Sequence, residues 1–430
     1  MPGILEALIR LNPWWYGESV PSGILRKGYL SKIQHYATTG EIVVIAGVRR
    51  AGKTTLLYQT IDHFIRNERI PAKRILFVNF DEPDFYTLDD PFTEILSVYR
   101  ADICGDDEIY LIFDEIQGVP GWERHIKALY DRGNVKLIIS GSSSSLIEGN
   151  LATLLAGRYF SVTVYPLDFD EYLMFCRFKV PTDHIALAAQ KFKVMNHLAE
   201  YIRSGGFPRV VLQIDDNLKT EYLRSYYDSI VYRDIILTNR VRHVRALKDL
   251  LVYLFSNITR PYSYQQLQKQ SGLDFATLKE YIGYAGAAGI LFEVPFFSYS
   301  LKTQSRNNRK IFCIDNGLRN AVSFTFSPDA GLLAENLVFF RLLKQGADPY
   351  YWCGKHEVDF IIKNPDDTLD AINVSYTDTP DEREYAGLEE FLSEYKEKVR
   401  SRLLITRDLE QEKKGIFCIP LWKWLLKNEP

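Results

Sequence analysis

The chain has 430 residues, of which 46% are hydrophobic and 25% charged, and its formal net charge is −3. This length is too great for one hydrophobic core, so about three domains are expected. The near-neutral charge excludes a chain that is basic throughout, so any nucleic acid must be bound by local basic patches. No apolar run approaches the ~20 residues that span a bilayer, and the five cysteines are scattered. We therefore expect a cytoplasmic protein with reduced thiols and no membrane partner.

The stretch EIVVIAGVRRAGKTTLLYQTIDHFI predicts a phosphate-binding loop between a buried strand and an amphipathic helix. Two glycines let the loop backbone wrap the phosphates of ATP at the N-terminus of the helix. Lys53 is expected to reach the β- and γ-phosphates, and the Thr54 hydroxyl to ligate Mg²⁺. Arg49 and Arg50 add charge that either helps to hold phosphates or faces solvent. The predicted nucleotide-binding residues are Gly47, Val48, Arg49, Arg50, Ala51, Gly52, Lys53, Thr54 and Thr55.

The stretch EIYLIFDEIQ predicts a second strand, at 109–113, which ends in two carboxylates. Asp114 is expected to hold Mg²⁺, and Glu115 to orient or activate the attacking water. An apolar run followed by Asp-Glu is common by itself. About sixty residues after a phosphate-binding loop, however, it indicates the metal-organising strand of an ATPase.

Two further candidates for catalysis follow the carboxylates. The stretch GNVKLIISGSSSSLI predicts a strand that ends at Ser140 and Ser142, either of which is expected to sense the γ-phosphate. A serine-rich turn that caps the next helix is the alternative. Arg158 precedes a predicted last core strand, 159–165, and is expected to reach the γ-phosphate of a neighbouring subunit. A surface ion pair is the alternative for this arginine.

Five strands, one of them between the loop strand and the Asp-Glu strand, predict a doubly wound α/β domain. The motifs GVRRAGKTT, LIFDEIQ, ISGSSSSL and AGRYFSVTVYPLDFDEYL resemble those of archaeal and bacterial AAA+-type P-loop ATPases with a C-terminal restriction-endonuclease-like domain. The resemblance continues through GGFPRVV and YYDSIVYRDI and covers nearly the whole chain. It implies an ASCE/AAA+-like core, a helical lid over the nucleotide at 171–235, and a ring-shaped homo-oligomer.

Residues 236–325 predict a winged-helix domain, in the order helix, helix, turn, helix and β-ribbon. Two stretches without acidic residues, RVRHVRALK and SLKTQSRNNRKIF, indicate contacts with the phosphates of DNA, and the second (300–312) is expected to form the wing of the β-ribbon. A predicted recognition helix with one lysine and one glutamate favours backbone contacts, which depend on DNA structure more than on sequence. A protein-binding scaffold is the alternative. The predicted DNA contacts are Arg240, Arg242, Arg245, Lys279, Lys302, Arg306, Arg309 and Lys310.

Residues 326–430 predict a succession of helices and strands that resembles the restriction-endonuclease-like fold. Metal chemistry in that fold needs an acid from the first helix, an Asp on one strand, and a carboxylate and a lysine on the next strand. Glu335 and Asp359 match the first two positions, and Glu357 accompanies Asp359. Asn373 and Ser375 stand where the second carboxylate and the lysine are needed. We therefore expect a degenerate nuclease site; an active nuclease and an unrelated β-rich domain remain alternatives.

The sequence thus predicts four parts: the ATPase core with its N-terminal segment (1–170), the lid (171–235), the winged helix (236–325) and the nuclease-like domain (326–430). The expected function is Mg²⁺-dependent ATP hydrolysis coupled to binding and remodelling of DNA. The alternatives are a nucleotide-gated signalling or defence switch with a protein partner, and an active nuclease. A kinase-like phosphotransferase is disfavoured by the two C-terminal modules.

Overall fold

The computed structural model describes residues 3–105, 108–142, 155, 157–323 and 330–426. The chain divides into two compact units, Met1–Tyr165 and Pro166–Pro430. All five cysteines are free thiols. In the part of the chain that the structure describes, no helix combines the length and the hydropathy needed to cross a membrane.

The first unit is built on a five-stranded parallel sheet with the strand order β2-β3-β4-β1-β5. Its strands are β1 (Ile42–Gly47), β2 (Ile75–Asn79), β3 (Ile109–Asp114), β4 (Val135–Ser142) and β5 (Tyr159–Val164). Every residue of β1 is buried, as expected for a strand covered on both faces. The predicted parallel sheet is therefore confirmed, and β2 is the strand expected between the loop strand and the Asp-Glu strand. In such a sheet the carboxyl ends of β1, β3 and β4 meet at one edge.

The N-terminal segment covers the exposed edge of β2. The Asn12 side-chain amide makes the two hydrogen bonds that the backbone of a neighbouring strand would make. Its Oδ1 accepts from the Phe77 amide at 2.7 Å, and its Nδ2 donates to the Phe77 carbonyl at 2.9 Å. The Trp15 indole donates to the Ile75 carbonyl at 2.9 Å. These bonds satisfy backbone groups that an edge strand leaves open to pairing with another chain. The α-helices of this unit are Ile4–Leu11, Lys27–Ala37, Lys53–Arg66, Pro91–Tyr99 and Trp122–Asp131.

A second N-terminal stretch is fastened to the helix that follows the phosphate-binding loop. Gln59 Nε2 donates to the carbonyls of Ser22 and Ile24, each at 2.8 Å. Arg26 Nη1 donates to the Ala51 carbonyl, inside the loop, at 2.9 Å. The buried Arg26–Ala51 bond therefore restrains the loop, and the two half-buried Gln59 bonds hold the same N-terminal stretch against the helix.

The second unit begins with helices interrupted at the predicted SGGFP break. The Gly206 amide donates to the buried Asp315 carboxylate at 2.6 Å, and the Gly206 carbonyl accepts from Leu167 at 2.7 Å. A Cβ atom on Gly206 would lie 2.2 Å from the Leu167 carbonyl oxygen, and one on Gly317 would lie 2.0 Å from the Ser204 oxygen. The glycines therefore permit close packing of backbone on backbone. The helices here are Phe169–Phe175, His184–Ala189, Lys191–Ser204, Pro208–Val211 and Asp216–Ser229, followed by a π-helical segment, Ile230–Leu237.

The next part of the chain combines helices with a three-stranded antiparallel sheet of order β6-β8-β7. The strands are β6 (Pro261–Tyr262), β7 (Leu291–Pro295) and β8 (Arg309–Cys313), and the helices are Val244–Ser256, Tyr264–Ser271, Phe275–Ala287, Leu301–Arg306 and Asn316–Val322. The three helices expected at 244–289 are present. The ribbon predicted over 300–312 differs, because a helix capped by Ser300 occupies Leu301–Arg306.

The C-terminal part forms a six-stranded mixed sheet of order β13-β14-β12-β11-β10-β9. Its strands are β9 (Tyr350–Cys353), β10 (Glu357–Lys363), β11 (Leu369–Ser375), β12 (Val399–Thr406), β13 (Gln411–Lys413) and β14 (Ile416–Pro420), and its helices are Ala330–Lys344, Glu382–Tyr395 and Leu421–Leu426. Apolar side chains such as Val358, Leu388 and Leu404 form its core. β10 pairs with β11 in antiparallel orientation, whereas β11 pairs with β12, and β12 with β14, in parallel orientation. The elements follow in the predicted order, with the short strand β13 added.

Candidate functional site

The phosphate-binding loop joins β1 to the helix Lys53–Arg66. Gly47 has φ +156° and lies so close to β5 that a Cβ atom would stand 2.2 Å from the Val164 carbonyl oxygen. Gly52, with φ +103°, ends the loop in a conformation that L-residues rarely adopt. The Lys53 ammonium is buried and donates to the carbonyls of Gly47 at 3.0 Å and Val48 at 3.4 Å. The loop therefore lies at the N-terminus of a helix, where phosphates bind favourably.

Asp114 is the centre of the site. The Thr54 hydroxyl donates to its Oδ2 at 2.6 Å, and the Ser140 hydroxyl donates to its Oδ1. The carboxyl group is fully buried, and this burial raises its pKa; Glu115 adds to the rise, while the two hydroxyl donors and Lys53 oppose it. Three segments distant in sequence thus meet at one carboxylate.

The donor set fits a magnesium ion. Mg²⁺ binds hard oxygen atoms, often with one or two carboxylates and the phosphates of a substrate. The Thr54 hydroxyl and the Asp114 carboxylate supply adjacent oxygens of this kind next to the loop. These two residues would hold the ion beside the phosphates of a nucleotide.

Glu115 follows directly after β3 and has a left-handed backbone, with φ +51°. Its Oε2 lies 3.6 Å from Arg49 Nη1, and Gln117 Nε2 donates to the same oxygen at 2.5 Å. The Arg49 and Glu115 side chains are each 14% exposed. The sequence predicted Glu115 but not that Arg49, from the phosphate-binding loop, is its ionic partner.

The other predicted catalytic residues lie in different environments. Ser140 contacts Asp114, and Ser142 is buried at the end of β4, opposite Gly47 in the β1–β4 pairing. Arg158 lies outside this cluster: it forms a half-exposed ion pair with Asp131 at 2.9 Å, the alternative considered for it. The serine-rich stretch after Ser142, which the sequence offers as a turn, lies outside the described residues.

The structure corrects one predicted DNA contact. Lys310 was expected on a solvent-facing wing, but it is fully buried in β8. Its Nζ lies 2.8 Å from Glu335 Oε1, 2.5 Å from Glu357 Oε1 and 3.0 Å from Asp359 Oδ1. The physical reason is that β8 is covered on both faces: Lys310 and Phe312 on one face and Ile311 on the other are all buried. The three carboxylates compensate the charge that is buried there.

The remaining predicted DNA contacts lie at or near the surface. Arg309 is half-buried and pairs with Glu293 at 3.0 Å. Exposed positions are occupied by Arg240, Arg242, Arg245, Lys279, Lys302 and Arg306. Arg242 and Arg245 line a cavity of about 670 Å³ between the helices Val244–Ser256 and Tyr264–Ser271. This part of the second unit therefore has a concave surface with a basic rim.

The predicted nuclease-site residues only partly converge. Glu335, Glu357 and Asp359 meet, as described, around Lys310. Asn373 does not join them: its Oδ1 accepts from the Asp359 amide at 3.0 Å, and its Nδ2 donates to the Glu384 carbonyl at 3.0 Å. Ser375 is the last residue of β11. Among the described residues, no group of three or more His, Cys, Asp or Glu side chains is arranged to hold a metal ion.

The electrostatics of this cluster reflect three acids around one base. Burial, followed by the charge of Asp359, raises the pKa of Glu335 to about 8. Burial alone lowers the pKa of the Lys310 ammonium, but Glu335, Asp359 and Glu357 outweigh it and raise that pKa well above its usual value. Lys310 is therefore a permanent cation in a buried, acidic setting.

The parallel sheet, the glycine loop and the Lys53–Thr54–Asp114 cluster define a P-loop NTPase of the AAA class. Residues 39–173 match a family model described as an AAA domain, and 195–329 and 330–424 match two domains of unknown function, DUF8612 and DUF4143. The chain is 31% identical over 404 residues to the uncharacterized protein MJ1544 of Methanocaldococcus jannaschii, covering 90% of this chain and 88% of the relative. It therefore belongs to the family of AAA-domain proteins that includes MJ1544.

Two further proteins are similar. An uncharacterized protein of Haemophilus influenzae is 29% identical over 415 residues, which cover 94% of this chain and 99% of that protein. The Walker-type ATPase PABY2304 of Pyrococcus abyssi has a solved structure with TM-score 0.46 and 14% identity, covering 70% of this chain and 95% of that one.

Proposed function

We propose that the protein is a Mg²⁺-dependent ATPase of AAA+ type that couples ATP hydrolysis to binding and remodelling of DNA, branched or forked DNA included, as a ring-shaped homo-oligomer. One observation carries the ATPase assignment. The Asp114 carboxylate binds both Thr54 and Ser140, beside a glycine loop at a helix N-terminus. This is the arrangement that a metal–nucleotide complex needs.

The residues of the site have distinct tasks in this proposal. Lys53 binds the β- and γ-phosphates and offsets their charge, while the loop amides fix their position. Thr54 and Asp114 would hold Mg²⁺, which supplies a Lewis acid that offsets charge on the transferring phosphoryl group. Glu115 accepts a proton from the attacking water, so that ATP and water become ADP and inorganic phosphate.

The proposed DNA surface is the exposed basic group on the second unit. Arg242 and Arg245 line the cavity of about 670 Å³, where Asp249 is the acidic neighbour, 4.0 Å from Arg245. Arg245 is 97% exposed, so its charge is available to a phosphate. Contacts of this kind fix a protein on the DNA backbone and give salt-dependent affinity.

Arg158 is the proposed contact with a neighbouring subunit. Its ion pair with Asp131 is about half exposed, and exposed pairs contribute little stability. Movement of the Arg158 side chain from Asp131 to the γ-phosphate of a nucleotide bound by the neighbouring subunit therefore costs little free energy. A charge supplied in trans stabilises the transition state for phosphoryl transfer.

ATP hydrolysis by the purified chain tests the core. Lys53→Ala and Glu115→Gln are each expected to lower kcat at least ~100-fold, since each removes a charge or base used in the transition state. Lys73→Ala, a surface lysine in the same unit, is the control and keeps the wild-type rate. If Glu115→Gln hydrolyses ATP at the normal rate, the role given to Glu115 is wrong.

DNA dependence separates the proposal from a nucleotide-gated switch with a protein partner. ATPase rate and particle size are measured with and without single-stranded, duplex and four-way DNA. The double variant Arg242→Ala/Arg245→Ala is expected to lower the magnitude of the slope of log affinity for DNA against log salt concentration by about 2, one for each lost phosphate contact. Lys179→Ala with Lys193→Ala, two exposed lysines elsewhere in the second unit, leaves it unchanged. Insensitivity to every DNA favours the switch.

An active nuclease is the second alternative, and one observation bears on it. Three carboxylates converge in the C-terminal part, and a lysine lies among them. Mg²⁺- or Mn²⁺-dependent cleavage that disappears in Asp359→Ala would establish this activity. The contacts of the lysine with these carboxylates argue against nuclease activity.

A further inference from the structure

The cluster around Lys310 joins two sheets of the second unit. Lys310 belongs to β8, in the three-stranded sheet, whereas Glu357 and Asp359 belong to β10, in the six-stranded sheet. Glu335 comes from the helix Ala330–Lys344. The three carboxylate oxygens lie 2.5–3.0 Å from Nζ, so each forms an ion pair with the ammonium, and those of Glu335 and Asp359 also accept a hydrogen bond from it.

The ammonium donates to two carboxylates and forms an ion pair with a third. Lysine has three N–H donors and no acceptor; two of its hydrogen bonds go to Glu335 and Asp359, and the Glu357 carboxylate lies 2.5 Å from Nζ. The Lys310 side chain is 1% exposed, the Asp359 and Glu335 side chains 14% and 11%, and only Glu357 reaches solvent appreciably, at 36%. A charge buried to this degree is stable only when its partners satisfy it, as they do in this case.

The oxygens that would face a metal ion face the ammonium instead. Asp359 Oδ1 contacts Lys310, while its other oxygen, Oδ2, accepts from the Val374 amide at 2.9 Å. Asn373 stands at the strand position where a second carboxylate is needed. It contributes no oxygen to the cluster, because its Oδ1 accepts from the Asp359 amide. A divalent cation that bound the same three carboxylate oxygens would have to displace the Lys310 ammonium from them.

We propose that the Lys310 ammonium is the built-in cation of the Glu335–Glu357–Asp359 cluster: it occupies the place that a divalent metal would need and fastens β8 to the C-terminal sheet. The cluster is then a structural joint that excludes metal, and the C-terminal part does not cleave DNA. This inference is independent of ATP hydrolysis and stands even if the chain has no ATPase activity.

Other contacts at the same joint explain why loss of Lys310 need not unfold the chain. Asn336 pairs with the backbone of Cys313 on β8, accepting from its amide at 2.9 Å and donating to its carbonyl at 3.0 Å. The rings of Phe312 and Phe339 stack with centroids 4.5 Å apart. β8 therefore remains attached to the helix Ala330–Lys344 through apolar and amide contacts when the lysine is replaced.

Removal of the lysine is expected to uncover a divalent-cation site. The experiment measures Mn²⁺ binding by electron paramagnetic resonance and by the shift in Tm, without nucleotide, in an Asp114→Asn background that disables the ATPase metal position. We expect no Mn²⁺ bound at 1:1 stoichiometry in that background. Addition of Lys310→Ala creates one site, and further addition of Asp359→Asn abolishes it.

Three results would overturn the proposal. The first is Mn²⁺ bound by the Asp114→Asn protein and lost in Asp114→Asn/Asp359→Asn, because the lysine then coexists with a metal. The second is a folded Lys310→Ala protein that binds no Mn²⁺. If Lys310→Ala does not fold, Mn²⁺ binding by the Asp114→Asn protein with and without Asp359→Asn, together with the cleavage assay on the wild-type chain, still decides the proposal. Metal-dependent cleavage of DNA by the wild-type chain also contradicts the proposal.

Discussion

Arg49, in the phosphate-binding loop, lies beside Glu115, at the end of β3, with Arg49 Nη1 3.6 Å from Glu115 Oε2. The contact connects the residue proposed to activate water with the loop proposed to hold the phosphates. Because a guanidinium can bind both a carboxylate and a phosphate, Arg49 is suited to set the position of Glu115 relative to the nucleotide.

Arg49→Ala is therefore expected to lower kcat about tenfold while it changes KM less, because Glu115 keeps Gln117 but loses its ionic partner. Arg49→Lys keeps the charge without the planar geometry and is expected to recover only part of the rate. Steady-state ATPase assays check both, with the exposed Arg132→Ala as control. A loss confined to KM would assign Arg49 to nucleotide binding alone.

Asp114→Asn is expected to abolish ATP hydrolysis and to leave the fold intact or more stable. Burial raises the pKa of Asp114, so this residue stabilises the folded chain most at low pH, and that contribution is lost as the pH rises through the folded-state pKa. Asparagine has no such loss. Tm measured from pH 4 to pH 8 should therefore fall less in Asp114→Asn than in the wild-type chain, and a parallel pH dependence would contradict this.

Glu335→Gln tests the charge balance around Lys310. The pKa of Glu335 is raised to about 8, from 4.5, so the folded chain retains a proton that the unfolded chain releases. The wild-type chain therefore loses stability as the pH rises from about 4.5 to about 8. Glutamine lacks this loss, and the Tm of Glu335→Gln minus that of the wild type should increase over the same window. Glu394→Gln, at an exposed position, is the control, and a difference independent of pH would refute the interpretation.

Gly317→Ala tests the backbone junction at the SGGFP motif. The new Cβ atom would stand 2.0 Å from the Ser204 carbonyl oxygen, which forces backbone to move and is expected to cost about 2 kcal/mol or more of the free energy of unfolding. Gly283→Ala is a matched control, since nothing lies within 4 Å of its Cβ position and it lies inside a helix. There the substitution should be neutral or stabilising by up to about 1 kcal/mol. Urea unfolding of both variants distinguishes these outcomes.

The part of the site that could be predicted is the part set by local rules. The G-x4-G-K-T spacing specifies a loop, its left-handed glycine and the helix that starts at Lys53, all within eight consecutive residues. Asp114 ends β3 and Ser140 lies two residues before the end of β4, and in a parallel sheet such strand ends lie together. Their meeting at Thr54 follows from that topology, without any knowledge of side-chain packing.

The interpretation of basic residues was less secure, because charge alone does not say where a side chain points. Arg309 and Lys310 are adjacent in sequence, yet one pairs with Glu293 near the surface and the other is fully buried. Arg158 was expected to act on a neighbouring subunit, and within its own chain it contacts Asp131. Such choices depend on acidic groups that other segments bring near.

The sequence by itself thus determined the phosphate-binding loop and the succession of strands along the chain that carries Asp114 and Glu115, because motif spacing and hydrophobic periodicity act over short distances. Only the tertiary structure decided the partners of Arg49 and Lys310. The partners of Lys310 lie 25 and 49 residues away, on a helix and on a strand of another sheet. Burial among those carboxylates makes the lysine a fixed internal cation, and no local pattern specifies that.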